Sequence, residues 1–231
     1  SDPNAIKIGL TGTPLLGDDY NSKALFGGYI HKYYYNSSIA DGYTLRLIRE
    51  EIETNYKMQL EKILKDIEIL KGEADKKYIY AHKSFVEPML DYIVNDFENS
   101  RVRLNDNSLG GMVICDSSEQ AKEMFEIFNK KYASRTDSKE KIVKTSALIL
   151  HDIGTKQERK DWVEDFKDGK IDFLFVYNML LTGFDAKRLK KLYLGRIIRK
   201  HNLLQALTRV NRTYKDFRYG FVVDFADISK E

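Results

Sequence analysis

The chain has one cysteine and three prolines among 231 residues, and no apolar run approaches the roughly 18 residues that a membrane-spanning helix needs. With a single thiol, Cys115, an internal disulfide is excluded, and its place in the apolar run GMVIC marks it as a core residue rather than a nucleophile. The histidines at 31, 82, 151 and 201 lie too far apart for the close ligand spacing of a zinc module, so no structural metal is expected. The opening SDPNAIKIGL lacks the basic stretch and long apolar core of a signal peptide, and an intracellular, cytoplasmic location without a membrane partner is expected. Also missing is any G-x-x-x-x-G-K-[ST] loop, and with it the backbone amides that cradle a triphosphate.

What is present reads as an ordinary globular protein. Residues are 42% hydrophobic and 32% charged, and a chain of this length buries well over half of its unfolded surface. The net charge of +3 conceals an uneven distribution: eleven Lys and Arg fall between Lys187 and Arg218 against one acid, Asp216. Such a concentration suits a surface that meets the phosphates of a nucleotide or a nucleic acid. A merely solvated basic face is the alternative, and charge alone does not separate the two.

Punctuation by glycine and proline organises the chain. Ile6 to Leu10 is a short apolar run that stops at Thr11-Gly12-Thr13-Pro14, which predicts a strand ending in a turn. Aromatic and β-branched residues in YIHKYYY and YTLRLIREEI, separated by Ala40-Asp41-Gly42, predict a peripheral hairpin. From about Asn55 to Asn99 the spacing is helical, with Ile63, Ile67 and Leu70 on one stripe and Phe85, Met89, Tyr92, Ile93 and Phe97 on another, divided at Gly72. Beyond the polar RLNDNSLGG, apolar strands alternate with amphipathic helices: GMVICD, SEQAKEMFEIFNKKY, SALILHD, TKQERKDWVEDFKDG, IDFLFVYN, KKLYLG, NLLQALTRVNRTY and GFVVDF. That alternation predicts an α/β fold with a parallel sheet covered by helices on both faces, whose ligands gather at the carboxyl ends of the strands.

Three segments could carry chemistry. In a helix through NLLQALTRVNRTY, Gln205, Arg209 and Arg212 fall within roughly 60° of one another, while Leu203, Leu204, Leu207 and Val210 take the other side. Two guanidinium forks and an amide on one face suit a multi-oxygen anion, although an exposed amphipathic helix would show the same pattern. The segment Leu181-Thr182-Gly183-Phe184-Asp185 follows the apolar FLFVYNML, where its glycine permits close backbone approach and its polar side chains could meet phosphate or ribose; many strands end in such a turn without binding anything. Ser117 and Ser118 open a predicted helix, where they serve equally as caps or as donors to a phosphate. A D-x-K at Asp168-Gly169-Lys170 has no acidic partner at a convincing place, and no nuclease site is assigned to it.

In order, TGTP at 11–14, CDSS at 115–118, LLTGFD at 180–185 and QALTRVNR at 205–212 resemble motifs III, IV, V and VI of superfamily 2 helicases, and most closely those of the type I restriction enzyme motor subunit. The resemblance implies a RecA-like domain, a P-loop NTPase fold without the P-loop, preceded by the end of a first lobe (1–19) and a hairpin and helical linker (20–109), with the second lobe at 110–231. It implies that Arg209 and Arg212 reach the γ-phosphate of ATP held with Mg2+ mainly by an upstream lobe. Gln205, Gly183, Asp185, Thr11 and Thr13 would couple that nucleotide to movement, and Thr182, Ser117 and Ser118 would touch DNA. The implied partners are the upstream ATPase lobe and nuclease domain of the same subunit, double-stranded DNA, and methylase and specificity subunits. TGTP so near the start is what a chain beginning just before the last strand of a first lobe would show, and such a chain alone is expected to bind no cofactor and hydrolyse no ATP. Two alternatives stay open: another superfamily 2 motor, or a non-enzymatic nucleic-acid-binding module.

Overall fold

Six short apolar segments pair in parallel into one sheet of order β1-β6-β5-β2-β4-β3. They are β1 (Arg46–Glu50), β2 (Gly110–Ile114), β3 (Ser146–Ile149), β4 (Phe173–Val176), β5 (Leu189–Leu194) and β6 (Tyr219–Asp224). The computed structural model describes residues 6–11, 14, 21–71, 76–133, 135, 142–179, 184–196 and 205–225. Every residue of β2, β4 and β5 is buried, which is what near-continuous apolar strands covered on both sides require.

Because successive side chains leave opposite faces of a strand, the same run feeds two cores. Phe173, Phe175, Tyr193 and Val223 pack with helices α3 (Thr54–Lys71), α4 (Lys76–Tyr80), α5 (Lys83–Leu104) and α6 (Ser118–Lys131). Leu174, Val176, Leu192 and Val222 turn the other way, against Phe166 of α7 (Lys156–Lys167) and against Phe184, Ala206 and Val210. The result is a three-layer α/β body. Thr155 opens α7 with a reciprocal capping box to Glu158, and His82 caps α5.

The structure differs from the sequence reading in four places. Of the expected hairpin, Tyr35–Ala40 is a short helix, α2, following α1 (Ser22–Phe26), and only Arg46–Glu50 is a strand. That strand pairs in parallel with β6 at one edge of the main sheet, Arg46 opposite Tyr219. Tyrosines favour strands only when a neighbour is present to bond them; here the neighbour lies at the far end of the chain, and alternation does not reveal it. The described residues between 21 and 109 therefore share a sheet and a core with those between 110 and 225. Second, Ile6 to Leu10 form no strand, and Ile6, Ile8 and Leu10 are exposed. Third, the inward stripe of α3 is Leu60, Leu64 and Ile67, while Leu70 is 85% exposed, and the second long helix is broken at Ala81–His82 into α4 and α5. Fourth, the basic segment is not all surface. Arg188, Lys190 and Lys191 are each no more than 4% exposed. Arg188 spends its donors on the carbonyls of Ser108, Phe166 and Ile171, and Lys191 sits between Glu50 and Asp96.

Candidate functional site

The expected arginine helix is cut short. Among the described residues it is helical at 205–207 and then tightens into a turn, with the Thr208 hydroxyl donating to the Gln205 carbonyl at 2.8 Å and the Arg209 amide to Ala206 at 3.1 Å. Two contacts force the exit. The Val210 carbonyl lies against Gly220 of β6, so close that a Cβ on Gly220 would sit 2.1 Å from the oxygen. Next to it, Asn211 is buried and its carbonyl accepts the Leu45 amide at 2.6 Å, while Arg212 forms an antiparallel bridge with Thr44. Helical periodicity accordingly does not place Arg212 beside Arg209.

Tertiary contacts do. Arg209 is half-buried and its guanidinium donates to the Phe184 carbonyl; Arg212, half-exposed, holds its Nε 3.7 Å from the Asp185 carboxylate. Burial, with the neighbouring Arg212 charge, lowers the Arg209 pKa, and Asp185 opposes the shift. Asp185, Arg209 and Arg212 thus share one locus, with Gln205 at the head of the same turn. Thr182, Gly183 and Thr13 lie outside the described residues. Thr11 is exposed in the irregular stretch near the start of the chain.

This locus is at the amino ends of the strands, not the carboxyl ends that the fold class suggests. Arg212 meets Thr44 two residues before β1, Val210 meets the second residue of β6, and Lys190, the second residue of β5, donates from its ammonium to the Arg212 carbonyl. Connectivity explains the placement. In a parallel sheet the link from β4 to β5 must return from the end of one strand to the start of the other, carrying Phe184 and Asp185 with it.

The carboxyl ends hold a second group. Ser117 is buried and its hydroxyl accepts the Gln120 amide at 3.1 Å, so it is occupied as the cap of α6; the Ser118 hydroxyl, partly exposed, donates to Glu119. Beside them Arg196, just past β5, stacks 4.9 Å from the Tyr177 ring centroid and donates to Asn178, whose backbone is left-handed at φ 55°. Burial raises the Asp116 pKa and Arg196 partly offsets it. Among the described residues, Asp185, Arg209 and Arg212 therefore lie at the end of the sheet opposite Ser117 and Ser118. Asp168 and Lys170, the D-x-K pair, are exposed and joined at 3.6 Å in an ordinary ion pair.

Sequence reasoning missed Lys190 and the Thr44–Leu45 support. The two lysines in KKLYLG, ahead of its apolar residues, are a usable signal, because a buried strand tolerates an ammonium only when something faces it. Nothing local marks Thr44.

A parallel six-stranded sheet between helical layers, with Arg209 and Arg212 on the segment that precedes its last strand, is a RecA-like α/β arrangement. A family profile described as Type I restriction enzyme subunit R domain 3 matches residues 82–227, more than half of the chain, and one described as SWI2/SNF2 ATPase matches residues 2–78. The chain belongs to the type I restriction enzyme R subunit family. It is 27% identical over 256 residues to the HindI type I restriction enzyme endonuclease subunit of Haemophilus influenzae, covering 99% of this chain and 24% of the relative. Over 130 residues it is 35% identical to the SauCOLORF180P endonuclease subunit of Staphylococcus aureus, covering 55% of this chain and 13% of the relative. The chain spans about a quarter of the length of the curated relatives it matches end to end. Its fold is shared with a fragment described as the HsdR subunit of a type I restriction enzyme from Vibrio vulnificus YJ016, at a TM-score of 0.59 and 18% identity over 93% of this chain and 38% of that one. No helix among the described residues is long and apolar enough to cross a membrane.

Proposed function

We propose that this chain is the second motor lobe of an ATP-driven, DNA-translocating restriction subunit, and that Arg209 and Arg212 complete an ATPase site whose phosphate cradle and Mg2+ ligands lie on an upstream lobe. One observation carries the reading: the turn from Gln205 to Arg212 is fastened so that the Arg209 guanidinium, bonded to the Phe184 carbonyl, and the Arg212 guanidinium, 3.7 Å from the Asp185 carboxylate, come to one locus. Two cations against one acid leave excess positive charge, and a guanidinium keeps its charge and its fork of donors in any orientation. Phosphate oxygens fit such a locus. Supplied from a neighbouring lobe, an arginine stabilises the charge that develops during phosphoryl transfer.

In this reading Gln205, Asp185 and Gly183 report nucleotide state to the rest of the lobe, with Thr11 and Thr13 transmitting closure between lobes. DNA phosphates would meet the opposite end of the sheet, where the partly exposed Ser118 is better placed than the capping Ser117, and Thr182 would add a further phosphate contact. Residues 1–19 would close the first lobe, and the nuclease domain, methylase and specificity subunits would complete a cytoplasmic enzyme that translocates duplex DNA before cutting it. Alone, the chain hydrolyses no ATP.

The test is DNA-stimulated ATP hydrolysis by the full-length subunit. Arg209→Ala and Arg212→Ala should each lower kcat by about 10³-fold or more, the range for an arginine supplied in this way. Wild-type turnover in both variants would refute the assignment.

A further inference from the structure

Lys190 is 1% exposed, yet it carries an ammonium. Desolvating such a charge costs free energy, and a well-packed apolar side chain would serve the core at least as well. What the ammonium does is specific: from the start of β5 it donates to the carbonyl of Arg212. The groups facing it are Arg212, the Asp185 carboxylate and the Tyr214 ring, whose centroid is 5.9 Å from Nζ. Arg212 repels the ammonium and Asp185 attracts it, both only weakly screened because burial keeps water away.

The same turn is held from two other sides. Thr44 bridges Arg212 and the Leu45 amide bonds Asn211; this support is itself fixed, because Tyr35 donates to the Leu45 carbonyl at 2.8 Å and the Ser38 and Thr44 hydroxyls are bonded to each other. Across from it, Val210 is wedged on Gly220. Of the three anchors, Lys190 alone brings charge, and it brings a third cation to a place where Arg209 and Arg212 already outnumber Asp185.

The geometry points to Lys190 as a positioning residue for the arginine pair: its buried ammonium, bonded to the Arg212 carbonyl, holds the turn so that both guanidinium groups present to one anionic ligand. This rests on the reading of Arg209 and Arg212 as phosphate ligands. Misplacing a group by about 1 Å can cost roughly 10²-fold in turnover, so the effect should appear in kcat rather than in nucleotide affinity. Burial, and then the Arg212 charge, lower the Lys190 pKa to about 8, so the anchor weakens as the solution becomes more alkaline than that.

The experiment measures kcat and KM of DNA-stimulated ATP hydrolysis by the full-length subunit, across mildly acidic to alkaline pH, for wild type, Lys190→Met, Lys190→Arg, Arg209→Ala and Arg212→Ala. Lys190→Met should lose about 10- to 10²-fold in kcat with KM within about threefold of wild type. Wild-type kcat should fall as pH rises past about 8, the fall should be absent from Lys190→Met, and Lys190→Arg should keep its activity at alkaline pH. Arginine variants that lose turnover while Lys190→Met keeps both wild-type kcat and the alkaline fall would overturn the inference alone. Arginine variants with wild-type turnover would overturn the nucleotide reading beneath it. Should Lys190→Met not fold, the Lys190→Arg profile decides: an alkaline fall unchanged from wild type overturns the proposal.

Discussion

Removing the ammonium of Lys191 should be among the most damaging single changes to the fold. Its side chain is 3% exposed and lies 2.6 Å from Glu50 and 2.7 Å from Asp96, with a further bond to the Ser100 hydroxyl. Lys191→Met keeps the aliphatic stem and deletes the charge, leaving two carboxylates facing each other without a counter-ion. Breaking a buried pair in this way costs about 3 to 5 kcal/mol. Glu50 and Asp96 retain 26% and 19% of their side-chain exposure, and the water that reaches them reduces the penalty to about 2 to 4 kcal/mol. For a chain of this size that is a fall in Tm of roughly 4 to 16 °C, since each kcal/mol is worth about 2 to 4 °C. Urea unfolding followed by far-UV circular dichroism measures it directly. The triple variant Glu50→Gln, Asp96→Asn, Lys191→Met leaves no orphaned charge and should recover part of the loss. A single variant as stable as wild type, or a triple variant less stable than the single, would show that the charges are not acting as a buried network.

Other expectations concern single contacts. Gly220→Ala places a methyl group against the Val210 carbonyl and should cost about 1 to 3 kcal/mol by chemical denaturation while also displacing the arginine turn; an unaffected midpoint would mean that the turn yields freely. Thr155→Ala removes half of the capping box on α7 and should cost about 1 kcal/mol, read from the same transitions. Asp116 has its pKa raised by burial, so its ionised form is disfavoured in the folded state; Asp116→Asn should raise Tm at neutral pH, with the difference closing as pH falls and the wild-type carboxyl protonates. Lys190 has the opposite sign of charge and a lowered pKa: between about 8 and the usual lysine value the unfolded chain binds more protons than the folded one, so wild-type stability should rise with pH in that window relative to Lys190→Met.

Much of the fold could be read from periodicity, and the reasons for the failures are local. Strands β2, β4 and β5 announce themselves as uninterrupted apolar runs because both of their faces are covered, and the α6 and α7 helices show the matching amphipathic spacing. Strand β1 was legible as a strand, but its partner was not, since parallel pairing joins residues with no sequence relation to one another. The arginine segment illustrates the same limit within the site. Offsets of four and seven predict a shared helical face, whereas Asn211, Thr44 and Gly220 end the helix through contacts that no window of sequence contains. Asp185, Arg209 and Arg212 still meet, for a tertiary reason. Charge counting misled in proportion to burial, because Arg188, Lys190 and Lys191 belong to the interior.

The pairing of β1 with β6 also bears on how the chain acquires its structure. β1 is bonded to β6, the described strand most distant from it in sequence, and β6 in turn lies between it and the rest of the sheet. During synthesis, β1 must wait until β6 has emerged before its backbone donors and acceptors find their neighbour, a high-contact-order closure that pays its loop entropy late. The same closure brings Thr44 to Arg212, so the arginine turn would be assembled only once β1 and β6 have paired, and chains truncated before β6 would lack it.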